Sequence, residues 1–517
     1  GKHLAGAEFC APMAAMHGHV HYLQGRADTV FFPFYLDHHP PRDHQRRQYC
    51  YYTQYAPSLA AFVRGTEKMD MGEADTRAGN RLLTPLVNYL YGRFHARTQL
   101  HKMLKSISHR RIKFSEVSNA FEKAAQFKQE TQHELKQLYA RETRIPGQLH
   151  VVLLGRPYTV LLKQMNKGIP DILAALGIKT FYQDMLTISE ETIATIAPLL
   201  KELHWHYAVE VVKAAAHVAN APDAYPVLIT SFKCTPDAFV TEYFKQIMER
   251  YAKPYLILQL DEHDSSVGYE TRIEAALRSF RNHHAGHRKS PLPNSAQMPG
   301  TRKASLDGKT LVMPNWGDIS QRLVVANLRR EGFDARLLEE DQTSIRKSLR
   351  YNTGQCIPLN IIAQEFIDYV ERYDLDPARC VLWMIRSAIP CNLRLFPYHI
   401  EHLFKTYGKG FEAAQVYPGV ISLADMSKKL PINTYFAYMF GGLVNKMGCA
   451  IRPYELYPGE TDAVIEKSMS LFENAFLGHQ KKEDAVVKVV DMFAAIQKSN
   501  GAFEERRPKV AIFGDLY

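Results

Sequence analysis

The chain has 517 residues, a net charge of +10, 46% apolar and 23% charged residues. That length asks for three or four domains of roughly 100–200 residues each, and the ordinary composition excludes a disordered or collagenous chain. No dense Lys/Arg block with interleaved aromatics supports nucleic-acid binding, and no run reaches the ~18 apolar residues of a membrane helix.

In chain order, strands are expected at 28–36, 149–155, 178–185, 224–232, 254–262, 310–316, 333–339, 379–387 and 509–517. Helices are expected between them at 115–142, 191–220, 237–251, 360–373 and 463–477. This alternation predicts an α/β protein of several doubly wound, parallel-sheet domains of flavodoxin- or Rossmann-like type. In such sheets ligands collect at the carboxyl ends of strands. Residues 282–308 are rich in Pro, Ser, Gly and basic residues and read as a linker.

The seven cysteines are odd in number and widely spaced, which fits a reducing, cytoplasmic setting better than a disulfide framework. Three of them stand in Cys-x-Pro triplets, at Cys10, Cys234 and Cys356. The order Cys-x-Pro, helix, strand, cysteine occurs twice, from Cys10 to Cys50 and from Cys356 to Cys391. "LHVVLLGRPY" finds an echo in "PKVAIFGDLY", whose glycine is Gly514. The halves therefore read as duplicates. The counterpart of Cys234 is expected beyond Tyr517, and the chain, which lacks an initiator methionine, reads as a piece of a longer polypeptide.

A cysteine just before a proline-led helix faces free backbone N–H groups and the positive end of the dipole, so its thiol is expected to shift towards thiolate. Thiolates of this kind bind soft metals and iron–sulfur clusters. Cys10, Cys50, Cys234, Cys356 and Cys391 are the candidate ligands. Cys380, inside a strand, is assigned to the core, and Cys449 is read as structural too. His17 and His21 would share a helix face and could pair on a metal. Arg156 and Tyr158, after the strand at 149–155, are placed to meet an anionic ligand or substrate. Asp261, Glu262 and His263 suit either acid–base work or helix capping. The phosphate loop GxxxxGK[ST], GxGxxG after a strand, GxSxG and HExxH are all absent.

The stretches "CAPMAAMHGHVHYL", "DTVFFPF", "YCYYTQYAPSL", "GRPYTVLLKQMNKGIPDILAALGIKTFYQDML", "SFKCTPDAFVTEYF" and "QLDEHDSSVGYETRIEAAL" resemble the acyl-CoA dehydratase activase-related proteins. Their cysteine-rich part is similar to 2-hydroxyacyl-CoA dehydratase subunits and double-cubane cluster proteins. "GQCIPLNIIAQEFIDYV", "IRPYELYPGETDAVIEK" and "PKVAIFGDLY" continue the resemblance. It implies a cytoplasmic, low-potential electron-transfer system of anaerobic metabolism built on a [4Fe-4S] or double-cubane cluster. ATP would enter only through an actin/Hsp70-like ATPase activator, a domain outside this chain. A ferredoxin or flavodoxin donor and a homodimer are further implied partners. By position, Cys10, Cys50 and Cys234 match the first ligand set, and Cys356 and Cys391 a second. The sequence departs from the pattern at Lys233 and Thr235, where small glycines are expected beside Cys234, and in lacking a glycine-rich approach to Cys391. A 2-hydroxyacyl-CoA dehydratase-type lyase and a cluster-free scaffold are the alternatives. The expected organisation is a cluster-binding domain over 1–145, a second α/β domain over 146–281, the linker, a cluster-type domain over 309–507, and the start of another at 508–517.

Overall fold

The computed structural model describes residues 9–38, 47–63, 81–87, 91–260, 266–287, 306–386, 391–497 and 508–511. The chain forms two compact units, one of Gly1–Pro299 with Thr353–Gln355, the other of Gly300–Asn352 with Cys356–Tyr517. Both are α/β, and in both the main sheet is wholly parallel.

In the first unit, α1 (Ala11–Leu23) starts directly after Cys10 and leads to β1 (Thr29–Phe31). α2 (Tyr51–Val63) starts directly after Cys50 and leads to β2 (Arg81–Leu83). β1 and β2 pair in parallel, as do the two-residue strands Phe34–Tyr35 and Leu86–Val87. The strand expected over 28–36 is thus interrupted at Phe32 and Pro33, because proline has no N–H with which to continue a ladder. Val20 of α1 packs with Ala60 and Ala61 of α2 and Leu82 of β2, while Met13 and Ala56 close round Cys10.

The long helix α3 (Phe114–Glu142) precedes the main sheet. That sheet is built from β3 (His150–Gly155), β4 (Lys179–Tyr182), β5 (Ala224–Ser231) and β6 (Leu256–Leu260), with α4 (Glu190–Glu202), α5 (His206–Asn220), α6 (Thr235–Arg250) and α7 (Ser266–His287) among its helices. Its strand order is β6-β5-β3-β4. Every residue of β3 and β5 is buried, as parallel strands covered on both faces require. Val151, Leu153, Tyr225, Val227 and Ile229 face Leu173, Ile273, Leu277 and Phe280 on one side, and α5 and α6 cover the other. The chain moves from β3 outward to β4, then crosses back to β5 on the far side of β3. That reversal opens a crevice at the carboxyl ends of β3 and β5.

The second unit repeats this plan with β7 (Thr310–Met313), α8 (Asp318–Arg330), β8 (Asp334–Leu337), α9 (Ile357–Arg372), β9 (Cys380–Ile385), α10 (Phe396–Tyr407) and β10 (Gln415–Gly419). The order is β8-β7-β9-β10, again second, first, third, fourth along the chain. The helices α11 (Leu430–Ile451), α12 (Glu460–Leu477) and α13 (Lys482–Ala494) complete its core through Val444, Phe472, Phe476 and Phe493. The two halves are therefore doubly wound α/β units with one strand order. Cys234 follows the third strand of the first sheet and Cys391 the third strand of the second, so by topology Cys391 corresponds to Cys234, which corrects the spacing-based match of Cys391 with Cys50 and of Cys234 with a residue beyond Tyr517.

Three local expectations are revised. The helix expected over 191–220 is two helices, broken at Leu203–Trp205. The first residues of the segment read as a linker are helical, since α7 runs to His287. Cys449, read as a structural cysteine, is exposed on α11. Residues 508–511 carry no regular element, and Gly514 lies outside the described residues. Among the described residues no helix is long and apolar enough to cross a membrane.

Candidate functional site

Cys10, Cys50 and Cys234 each occupy the residue before a helix, α1, α2 and α6. Cys10 and Cys234 are N-caps with extended backbone (φ −63°, ψ 156° and φ −91°, ψ 97°), each followed by a proline in the first turn. The backbone N–H groups of Met13 and Asp237, in the first turns of these helices, favour the thiolate forms of Cys10 and Cys234. The Cys50 sulfur lies 3.6 Å from the Thr53 hydroxyl. The carbonyls of the three cysteines accept the first helical bonds, from Met13 and Ala14, from Gln54, and from Ala238. The helix starts thus fix the cysteine backbones.

These side chains share one neighbourhood. Cys10 interacts electrostatically with Cys50, Arg156 and Asp237, and Cys234 with Arg156, Asp237 and Cys10. The Tyr52 phenol, in the first turn of α2, senses all three thiols. Tyr158 senses Cys234 and Cys50. Three loops distant in sequence therefore bring their thiols together beside the carboxyl ends of β3 and β5.

Arg156 supplies the positive charge. It follows Gly155, the last residue of β3, and is only 3% exposed. Its Nε donates to Asp237 Oδ1 at 2.6 Å, and the Thr230 hydroxyl donates to Asp237 Oδ2 at 3.0 Å. Burial opposes the guanidinium charge, but Asp237 and the neighbouring thiols hold its pKa well above the ordinary value. Arg156 Nη2 is buried and has no hydrogen-bond partner among the described residues. Gly155 makes the turn into this loop: its φ is +146°, and a Cβ there would collide with the Ile229 carbonyl on β5. Lys233, beside Cys234, sits in the left-handed region at φ +63°, which explains why glycine would suit that position.

The dipole expectation is reversed for Cys10 and Cys234. Burial pushes the Cys234 thiol well above the ordinary range despite the pull of Arg156, and Asp237 adds to the rise. Cys10 is likewise raised, first by burial, against the help of the Met13 N–H. Burial also raises the Tyr158 phenol well above its usual value.

In the second unit, Cys356 caps α9 and Cys391 precedes the 3-10 turn Asn392–Leu395. The Asn392 amide donates to the Cys356 sulfur at 3.5 Å, so Cys356 meets the residue next to Cys391. Cys380 lies in β9, where burial lifts its thiol to about 11, in keeping with a core role. His17 and His21 both lie on α1, but His17 is buried against the edge of Phe9 whereas His21 is exposed and bonded to Gln24. Asp261, Glu262 and His263 lie outside the described residues. Among the described residues no three His, Cys, Asp or Glu side chains lie close enough to hold a single metal ion.

Sequence reasoning missed Asp237, Thr230 and Tyr52. Asp237 had a signal: an acid in the first turn of the helix that Cys234 begins. A cavity of about 300 Å³ in the first unit is lined mainly by apolar side chains, among them Met16, Val20, Phe32, Tyr158 and Leu162.

Residues 1–186 match the family described as the CoA enzyme activase uncharacterised domain. The match takes in Cys10, Cys50, Arg156 and Tyr158 and stops before Cys234. No curated protein and no solved structure matches the chain. Over residues 1–186 the chain is thus similar to this CoA enzyme activase family, which supports a relationship to the acyl-CoA dehydratase activase-related proteins.

Proposed function

We propose that the chain is the iron–sulfur cluster-binding component of an ATP-coupled, low-potential electron-transfer system, with Cys10, Cys50 and Cys234 as thiolate ligands. The carrying observation is that these three thiols, from three helix starts, share one environment with a buried arginine. The residues present fit such a group. In a four-iron cluster each thiolate takes its own iron, so three separate thiols are the donor set such a group needs. The unpartnered Arg156 Nη2 is a buried donor in need of an acceptor.

A bound [4Fe-4S] or double-cubane cluster would supply one-electron chemistry at low potential, and three protein ligands leave one iron of a four-iron cluster open. The protein's part is to hold the thiols at fixed helix starts, to exclude water by burial, and to set the local charge through Arg156 and Asp237. Cys356 and Cys391 form the candidate second set, joined through Asn392. An ATPase activator of actin/Hsp70-like type and a ferredoxin or flavodoxin donor complete the system.

Iron and sulfide analysis after strictly anaerobic purification tests this. The expected result is stoichiometric iron, lost in Cys234→Ala and kept in Cys380→Ala. Iron near zero in the wild-type protein would sink the proposal and leave the cluster-free scaffold. A second reading, the 2-hydroxyacyl-CoA dehydratase-type lyase, draws on the apolar cavity, which has room for an acyl chain and is lined in part by Pro12, two residues after Cys10, and by Tyr158. Turnover of a 2-hydroxyacyl-CoA with activator and ATP would establish it.

A further inference from the structure

We propose that Arg156 is the fixed cationic hydrogen-bond donor to the sulfur-rich anionic group that Cys10, Cys50 and Cys234 hold, and that Asp237 and Thr230 are positioning residues that keep it in place. The inference rests on the cluster reading above and goes further, since it assigns a task to residues that bind no iron.

The geometry is one of a side chain fixed at one edge and unsatisfied at another. The Arg156 Nε bond to Asp237 is 2.6 Å long, and Asp237 is itself held by Thr230 at 3.0 Å. Arg156 and Asp237 are 3% and 8% exposed, so neither can turn to water for its remaining bonds. A guanidinium carries five N–H donors in a rigid fork. With Nε committed to Asp237, the orientation of the fork is set. Nη2 is then buried without a partner. Buried donors are seldom left so, and an orphan on a guanidinium fixed by its Nε bond to Asp237 points to an acceptor that the polypeptide does not provide.

The chemistry of the surroundings says what that acceptor is. The guanidinium interacts electrostatically with Cys234 and Cys50, and Cys10 senses it in turn. Cys10 and Cys234 each interact electrostatically with both members of the pair, Arg156 and Asp237. A group held by three thiolates is electron-rich, and N–H donors to its sulfurs stabilise the reduced form. Asp237 also ties this donor to a ligand, because it lies in the first turn of the helix that Cys234 begins.

The test compares wild-type protein, Arg156→Gln and Arg156→Lys, each purified anaerobically with its iron, by iron analysis and by redox titration followed by electron paramagnetic resonance. Arg156→Gln is expected to favour the oxidised form at least tenfold more than wild type, about 59 mV more negative for one electron. Arg156→Lys, which keeps the charge without the fork, is expected between the two. Iron lost from Arg156→Gln but kept by Arg156→Lys also supports the role. A wild-type midpoint potential in Arg156→Gln overturns it. So does loss of iron from both variants together with loss of cooperative unfolding, which would make Arg156 purely structural. Wild-type protein without iron would instead overturn the cluster reading, and this inference with it.

Discussion

Arg156 Nε stands 2.6 Å from Asp237 Oδ1 in a part of the first unit where both side chains are almost fully enclosed. A buried ion pair is weak evidence for stability, yet breaking one side of it strands the other charge. Asp237→Ala is therefore expected to destabilise the first unit by about 3–5 kcal/mol. The double variant Arg156→Met/Asp237→Leu should recover most of that loss, because no charge is then left unpaired. Urea denaturation of the three proteins checks both statements, and a double variant no better than Asp237→Ala would refute the second.

Lys233 adopts φ +63° immediately before Cys234. A residue with a Cβ pays roughly 1–2 kcal/mol for that conformation, whereas glycine adopts it freely. Lys233→Gly is expected to stabilise the folded unit by about 1 kcal/mol, the greater chain entropy of unfolded glycine offsetting part of the relief. A rise in the denaturation midpoint with unchanged slope is the expected reading.

Gly155 is the opposite case. With φ +146° and the Ile229 carbonyl against its Cα, it has neither the backbone freedom nor the space for a side chain. Gly155→Ala should cost at least about 1–3 kcal/mol from the backbone conformation alone. It should also displace Arg156, so any bound iron is expected to fall along with the thermal midpoint. Unchanged melting would show that the turn can be made another way.

Lys253 gives a pH dependence. It is 3% exposed, its Nζ donates to the Ala221 and Pro222 carbonyls, and it lies 4.3 Å from the Tyr225 ring centre. Burial lowers its pKa to about 8, more than Asp223 raises it. Below pH 8 the folded state carries the cost of a buried ammonium in full. Between pH 8 and its unfolded value the folded state holds fewer protons, so stability rises with pH, by on the order of 3 kcal/mol across the window. Relative to Lys253→Met, wild-type stability should therefore climb from pH 8 to pH 10. A flat difference would place the ammonium in a better-solvated setting than its burial indicates.

The parallel strands were legible because strands buried on both faces are continuous apolar runs, as in the all-buried "AYPVLITS" of β5. The edge strand β10 was not, since "QVYPG" looks like a turn. Its proline is tolerated because the strand has a neighbour on one side only. The break between α4 and α5 was hidden for a different reason. The Leu203 carbonyl accepts from Arg47, the His204 carbonyl accepts from the Gln48 N–H, and Trp205 bridges to Gln48. Those partners are about 156 residues away along the chain, out of reach of any local pattern. At the site, cysteine position was readable from the Cys-x-Pro signal. The direction of the thiol shifts was not, because burial and neighbouring charge outweigh the helix ends.

The common strand order of the two sheets has a consequence for how the halves can diverge. Topology fixes where the loop after the third strand emerges, so Cys234 and Cys391 occupy corresponding places whatever their surroundings. The loop after the first strand is under no such constraint. In the first half it delivers Arg156, and in the second it runs Pro314, Asn315, Trp316 and Gly317, with no cation among them. Two copies of one scaffold can in this way keep the same place for a cysteine while presenting different charge beside it, by changing a single loop and leaving the rest alone.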